Sequence, residues 1–256
     1  MVRRRTMLAW AGGLVLNPFR RVSGQTSANR KTYVIVHGAW GGGWAYRTVS
    51  DVLTARGHVV FRPTLTGLGE RVHLASPDIG LMTHISDVAN VLLYEDLRDV
   101  ILVGHSYGGM VVTGVADRVH DRIAHLAYID ALVPEDGESV MTLTTLLPPE
   151  LAALVRGQTQ GGFNVPTWVT PGAVPPIAVP QPARTFTEPI TLKNSARQRI
   201  PTSYILTVGR GRDTDDFDAF VARAKAKGWK TIRMTADHNP ERSAPNELCS
   251  LLEQLY

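Results

Sequence analysis

From residue 32 onward the chain switches repeatedly between two hydrophobic periods. Short runs rich in β-branched and aliphatic residues occur at Tyr33–Val36, His58–Phe61, Val100–Val103, Ile123–Ile129, Ser203–Val208 and Lys230–Met234. Their length suits strands, and their largely unbroken apolar character suits strands covered on both faces. Between them, apolar side chains recur at three- and four-residue spacing: Val49, Val52 and Leu53; Leu81, Ile85, Val88 and Leu92; Phe217, Phe220, Val221 and Ala224. Each stripe predicts a helix that covers one face of a sheet. A last stripe, Leu248, Leu251, Leu252 and Leu255, predicts a C-terminal helix packed back on the strands. The alternation predicts an α/β fold with a mostly parallel central sheet flanked by helices.

One stretch interrupts this rhythm. Residues 134–201 are rich in proline, with Phe163, Trp168 and Phe186 among polar residues. Proline removes backbone donors and limits regular structure, so short helices and irregular loops are expected, inserted after the strand that ends at Asp130 and arching over the strand ends as a cap. A flexible linker is the alternative, and the aromatic and aliphatic content argues against it. The expected organisation is therefore a start over residues 1–31, a core over 32–133 and 202–256, and a cap over 134–201. Ligands of open α/β sheets bind beyond the carboxyl ends of the strands, where such a cap would form a roof.

With 256 residues, 44% of them hydrophobic, the chain suits one domain with a sizeable core. The formal net charge is +4, but seven basic residues precede Thr32 and no acidic residue does. Removal of the first 24 residues leaves 22 basic against 23 acidic residues. That balance takes away the electrostatic argument for nucleic-acid binding. The start itself, Arg3-Arg4-Arg5-Thr6 followed by a short apolar stretch to Leu16, has the form of an export signal with a twin-arginine flavour, cleaved after Gly24. A periplasmic or secreted location is expected on that reading, and a cytoplasmic one if the segment is not a signal. Cys249 is the only cysteine, which excludes an intrachain disulfide and a cysteine metal cluster. No segment approaches the roughly 20 apolar residues that span a bilayer.

Candidate chemistry centres on Gly104-His105-Ser106-Tyr107-Gly108, a G-x-S-x-G motif between an apolar strand and a helical run that starts at Gly109. A serine on such a sharp strand-to-helix turn projects its hydroxyl at a helix N-terminus. It becomes nucleophilic only when a base takes its proton. His238 alone among the eight histidines lies between the last strand and the last helix, downstream of Ser106, where that base belongs. Two carboxylates compete for the third position. Asp130 ends the apolar run Ile123–Ile129 and would need a partner to offset burial. Asp213 lies in the polar segment 209–216, where helix capping or a surface ion pair explains it adequately. The burial argument favours Asp130. The glycine-rich segment His37-Gly38-Ala39-Trp40-Gly41-Gly42-Gly43 follows the first strand and completes no nucleotide-binding pattern. The backbone N–H groups of Ala39 and Tyr107 are the expected oxyanion donors.

Together, His37-Gly38-Ala39, Gly57-His58-Val59-Val60, Thr64-Leu65-Thr66-Gly67, the serine motif through Met110, and His238 resemble the methyl esterase and hydroxynitrile lyase family of the α/β-hydrolase fold. The likeness spans nearly everything after Thr32, and the segment from Tyr128 to Gly137 looks like a bacterial esterase branch. This resemblance implies a hydrolase that needs no cofactor and no metal. Its partner is expected to be a small-molecule ester or lactone of apolar character, with Gly38, Trp40, His105 and Trp168 lining the substrate site. A homodimer is left open. The plant enzymes carry their acid at a position that an ungapped comparison puts on Arg210, which again favours Asp130, although a loop insertion would restore Asp213. The lyases have threonine in place of Gly38 and lysine in place of Asn239, and a lyase is therefore disfavoured. A non-catalytic binding protein on the same fold is the rival from another class.

Overall fold

The short apolar runs become strands and the stripes at three- and four-residue spacing become helices in a computed structural model that describes residues 30–256. The expected export signal and its cleavage site lie outside the described residues. In chain order the core begins with β1 (Thr32–Val36), α1 (Arg47–Ala55), β2 (Val59–Phe61), α2 (Leu81–Tyr94), β3 (Val100–His105), α3 (Gly108–Val119) and β4 (Ile123–Ile129). Then come α4 (Val140–Leu143), α5 (Pro149–Arg156), β5 (Gln158–Gln160), β6 (Phe163–Val165), β7 (Gln181–Pro182) and α6 (Arg184–Thr187). The chain closes with β8 (Thr202–Val208), α7 (Asp218–Ala226), β9 (Lys230–Thr235), α8 (Pro240–Ser243) and α9 (Pro245–Glu253).

Six strands form one sheet in the order β2-β1-β3-β4-β8-β9, and every neighbouring pair is parallel. Alternate residues of each strand feed opposite layers. Val34, Leu102, Tyr128 and Tyr204 join the core beneath α2, α3 and the inserted segment. Tyr33, Ile101, Ala127 and Ile205 join the core beneath α1 and α9. Both faces are thus dry, which is why these strands read as continuous apolar runs rather than as alternating ones.

Two details depart from the sequence expectation. The inserted segment holds short helices, but it also builds an antiparallel sheet in the order β5-β6-β7 where loops were expected. The run that begins at His58 starts its strand at Val59, because His58 is engaged at the rim: its Nδ1 accepts from the Lys31 N–H at 3.2 Å, and its Nε2–H donates to Glu253 at 2.9 Å. Among the described residues no helix is long and apolar enough to cross a membrane.

Candidate active site

Three strands bring Ser106, Asp130 and Thr207 together because their carboxyl ends stay in register. His105 pairs with Ile129, and Ile129 pairs with Ile205. The ladder continues past the strands, where the Ser106 N–H donates to Ile129 O at 3.1 Å and the Asp130 N–H to Ile205 O at 2.9 Å. Ser106 and Asp130 therefore emerge side by side at one edge of the sheet. Both turn sharply, with φ of 53° and 39°, a region that non-glycine residues occupy at a cost. The carbonyl of Ser106 accepts from the N–H groups of Gly109 and Leu132, at 3.0 and 3.1 Å, and those two bonds hold the strained turn.

The imidazole arrives from the loop between β9 and α8. His238 Nε2 lies 3.1 Å from Ser106 Oγ, and His238 Nδ1 lies 3.3 Å from Asp130 Oδ2. Asp130 is fully buried, and its carboxylate also accepts the Thr207 N–H at 2.6 Å and the Thr207 hydroxyl. Two further contacts hold His238, and two more hold its neighbour in the loop. Phe217 stacks on its ring at 4.9 Å, the buried His105 donates Nε2–H to its carbonyl at 2.7 Å, and the neighbouring Asp237 accepts from the Asn239 N–H and the Ser243 hydroxyl. Burial, and then the proximity of His238, push His105 down to about 3, so it is a neutral prop near pH 7.

Asp213 sits on the exposed segment after β8 and makes no hydrogen bond to the imidazole among the described residues. Asp215, two residues further, is the carboxyl nearer the site. Burial, and then the charge of Asp130, raise it to about 6. Its position had no sequence signal, since it lay in a run of polar residues.

The loop after β1 faces Ser106. A Cβ on Gly38 would stand 3.2 Å from Ser106 Cβ and 3.3 Å from His105 Nδ1, so a side chain there would crowd the serine and the histidine beside it. Neither the Ala39 N–H nor the Tyr107 N–H donates to another described residue. The Trp40 N–H is already engaged, donating to the Gln181 side chain at 2.8 Å, while Trp40 O accepts from the Val179 N–H at 2.9 Å. His37 orders the start of the loop: its Nδ1–H donates to Gly38 O at 2.8 Å and its Nε2 accepts the Leu65 N–H at 3.2 Å. The Tyr107 hydroxyl donates to His84 Nδ1 at 2.9 Å, and the other ring nitrogen of His84 donates to Thr66 O. Burial lowers both His37 and His84 to about 4.

Above these groups lies a cavity of about 360 Å³. Gly38, Ala39, Trp40, His105, Ser106, Tyr107, Trp168 and His238 all border it. The inserted segment supplies Leu147, Leu151 and Val155 to its wall, and Trp168 meets Trp40 edge-on at 5.0 Å. Thr207, Phe217 and Gln181 were missed from sequence, because each sat inside a stretch that already had a strand, helix or loop explanation.

The family model of the alpha/beta hydrolase family matches residues 33–251. The chain belongs to the alpha/beta hydrolase family. Among its relatives is the carbendazim hydrolyzing esterase of Nocardioides sp. (strain SG-4G), 40% identical over 247 residues that cover 87% of this chain and 98% of the relative. Similar solved structures include an extracellular alpha/beta-hydrolase from a Paenibacillus species, at a TM-score of 0.68 and 24% identity over 87% of this chain and 97% of that one. A pyrethroid hydrolase structure matches at a TM-score of 0.70 and 23% identity, over 87% of this chain and 96% of that one. Within this hydrolase fold, the six parallel strands carry the site and the inserted segment roofs it.

Proposed function

We propose that this chain is a serine hydrolase of carboxylic esters in which Ser106 is the nucleophile, His238 the base, Asp130 the orienting acid, and the Ala39 and Tyr107 N–H groups the oxyanion donors. One observation carries the reading: a continuous line from Ser106 Oγ through the imidazole to Asp130 Oδ2, with steps of 3.1 and 3.3 Å. In the first half-reaction His238 Nε2 takes the Ser106 proton as the hydroxyl attacks the ester carbonyl, and Nδ1–H stays bonded to Asp130. The imidazolium then gives its proton to the departing alcohol. In the second half-reaction the same imidazole takes a proton from water as it attacks the acyl carbonyl, and the imidazolium returns that proton to Ser106 Oγ as the acyl group leaves as the acid.

The esterase and hydrolase names of the relatives support ester chemistry. The apolar wall from the inserted segment supports an apolar small-molecule ester or lactone as substrate. A fluorophosphonate probe should label the wild type at Ser106, and Ser106→Ala should remove both labelling and hydrolysis of p-nitrophenyl butyrate. Undiminished hydrolysis by that variant excludes the mechanism. For the start of the chain we read residues 3–24 as an export signal. Mass spectrometry of protein recovered from outside the cytoplasm of the producing cell should find a mature chain that begins at Gln25, and a chain retained at full length in the cytoplasm contradicts this.

A further inference from the structure

The chain leaves β4 at Ile129 and turns sharply at Asp130, so the next residue has no place in the sheet ladder. Ala131 is fully buried, yet neither its N–H nor its carbonyl bonds to backbone among the described residues. Buried peptide groups must find partners elsewhere, and here one side chain answers both. The Tyr204 hydroxyl accepts the Ala131 N–H at 2.9 Å and donates to the Ala131 carbonyl at 2.9 Å. A hydroxyl suits this place because it combines one donor with acceptor lone pairs. Burial first, and then the charge of Asp130, push the Tyr204 hydroxyl well above its usual range, so it keeps the proton that it donates. The ring is held as firmly. Tyr204 is fully buried on β8 opposite Tyr128, their rings stack at 6.4 Å, and Trp229 stacks on the far face of that pair at 5.1 Å from Tyr128.

We infer that Tyr204 is a positioning residue for the ester hydrolysis proposed above: its single hydroxyl sets both the aim of Asp130 at the imidazole and the brace on the Ser106 turn. The geometry of the chain gives it that reach. The Ala131 N–H belongs to the peptide unit that leaves Asp130, and the Ala131 carbonyl belongs to the unit that enters Leu132. Asp130, on one side, presents its carboxylate to His238 Nδ1 at 3.3 Å. Leu132, on the other, donates its N–H to the Ser106 carbonyl at 3.1 Å. Asp130 holds a left-handed backbone with φ of 39°, a conformation that persists only where its surroundings enforce it. Tyr204 pins the peptide units on both sides of Ala131 and does not itself border the substrate cavity. Loss of its hydroxyl should therefore act on turnover and leave substrate fit alone.

Tyr204→Phe removes the hydroxyl and keeps the stacked ring. Tyr128→Phe is the control: it removes an equally buried hydroxyl from the neighbouring strand, whose partner, the Thr113 hydroxyl on α3, keeps its own bond to Gly109 O. In Tyr204→Phe, kcat for p-nitrophenyl butyrate should fall between about tenfold and a hundredfold with KM within about threefold, as a small misplacement of reacting groups predicts. Tyr128→Phe should stay within about threefold in both, even where its melting temperature falls as far. Amide-resolved hydrogen exchange tests the same bonds without reference to activity. The Ala131 amide should be protected in the wild type and should exchange at least about tenfold faster in Tyr204→Phe than in Tyr128→Phe. Equal kcat losses in the two variants overturn the proposal, as does a loss that appears in KM instead. Rapid exchange at Ala131 in the wild type overturns it without any variant. The role in turnover rests on the esterase reading, and a wild type that neither hydrolyses the ester nor takes up a fluorophosphonate rejects that reading, whereas Ala131 protection that disappears with the Tyr204 hydroxyl upholds its grip on the turn.

Discussion

Asp130 has no contact with solvent, and the donors around its two oxygens decide what a substitution there does. Thr207 supplies an N–H to one oxygen and a hydroxyl to the other, and His238 Nδ1 meets that second oxygen. In Asp130→Asn the amide oxygen would keep the Thr207 N–H, so the amide NH2 would face the imidazole. His238 would then turn Nδ1 into an acceptor and place its proton on Nε2, where it cannot take one from Ser106. The expected loss in kcat is on the order of 10³–10⁴ with little change in stability. Asp213→Asn, on an exposed segment, should stay within about threefold of wild type. Steady-state kinetics on a p-nitrophenyl ester compare the two, and equal losses would contradict the role given to Asp130. Thr207→Val keeps the backbone donor and removes the hydroxyl, and it should cost roughly tenfold in kcat, in keeping with one lost charge-assisted bond.

The meeting of strand, turn and helix around Ser106 tolerates little added volume. A Cβ on Gly109, in the first turn of α3, would stand 2.1 Å from Leu132 O, the backbone that also steadies the serine. Gly109→Ala should destabilise the fold by about 3 kcal/mol, toward the upper end of overpacking costs, and slow fluorophosphonate labelling as the turn shifts. An unchanged denaturation midpoint would refute the close-packing argument. Elements covered on both faces were the legible ones: β4 runs over the same residues, Ile123–Ile129, that its apolar pattern predicts. The missed hairpin had a readable signal. Gly161 and Gly162 separate Gln160 from its partner Phe163, and both have positive φ, 58° and 84°, as a two-residue type I′ turn requires. The polar content of Gln158–Gln160 hid the strand beside them. The pairing of Ser106 with His238 could be anticipated because chain order alone restricts where a base can lie. Tyr204, Asp215 and Phe217 could not, because their importance comes from burial against residues distant in sequence.

For the molecule as a whole, buried histidines set how stability responds to acid. His37 and His84 are held at about 4 and His105 at about 3, each by burial first. In the unfolded chain they titrate near 6.5. Between about pH 6.5 and pH 4 the unfolded chain therefore takes up protons that the folded chain refuses, and stability falls as pH falls. Asp215 at about 6 and Glu241 at about 7 act in the opposite direction, since their folded forms keep protons that the unfolded carboxyls release. The histidines outnumber them and move further in total, at about 1.4 kcal/mol for each pKa unit. The melting temperature should be highest near neutrality and fall steeply below pH 6.5, with a shallower fall in His84→Gln. A flat profile from pH 7 to pH 4.5 would contradict this.

Trp40 takes a left-handed backbone, φ 60°, in the loop that carries Ala39, the proposed oxyanion donor, and the inserted segment grips it from both sides through Val179 and Gln181. On the proposed mechanism, substrate fit and charge stabilisation thus share a single mechanical joint. A graft that gives this enzyme a foreign roof to widen its diet would also unfasten the loop that carries Ala39, and the transplanted chimera would bind new esters while turning them over sluggishly until those two anchors were rebuilt.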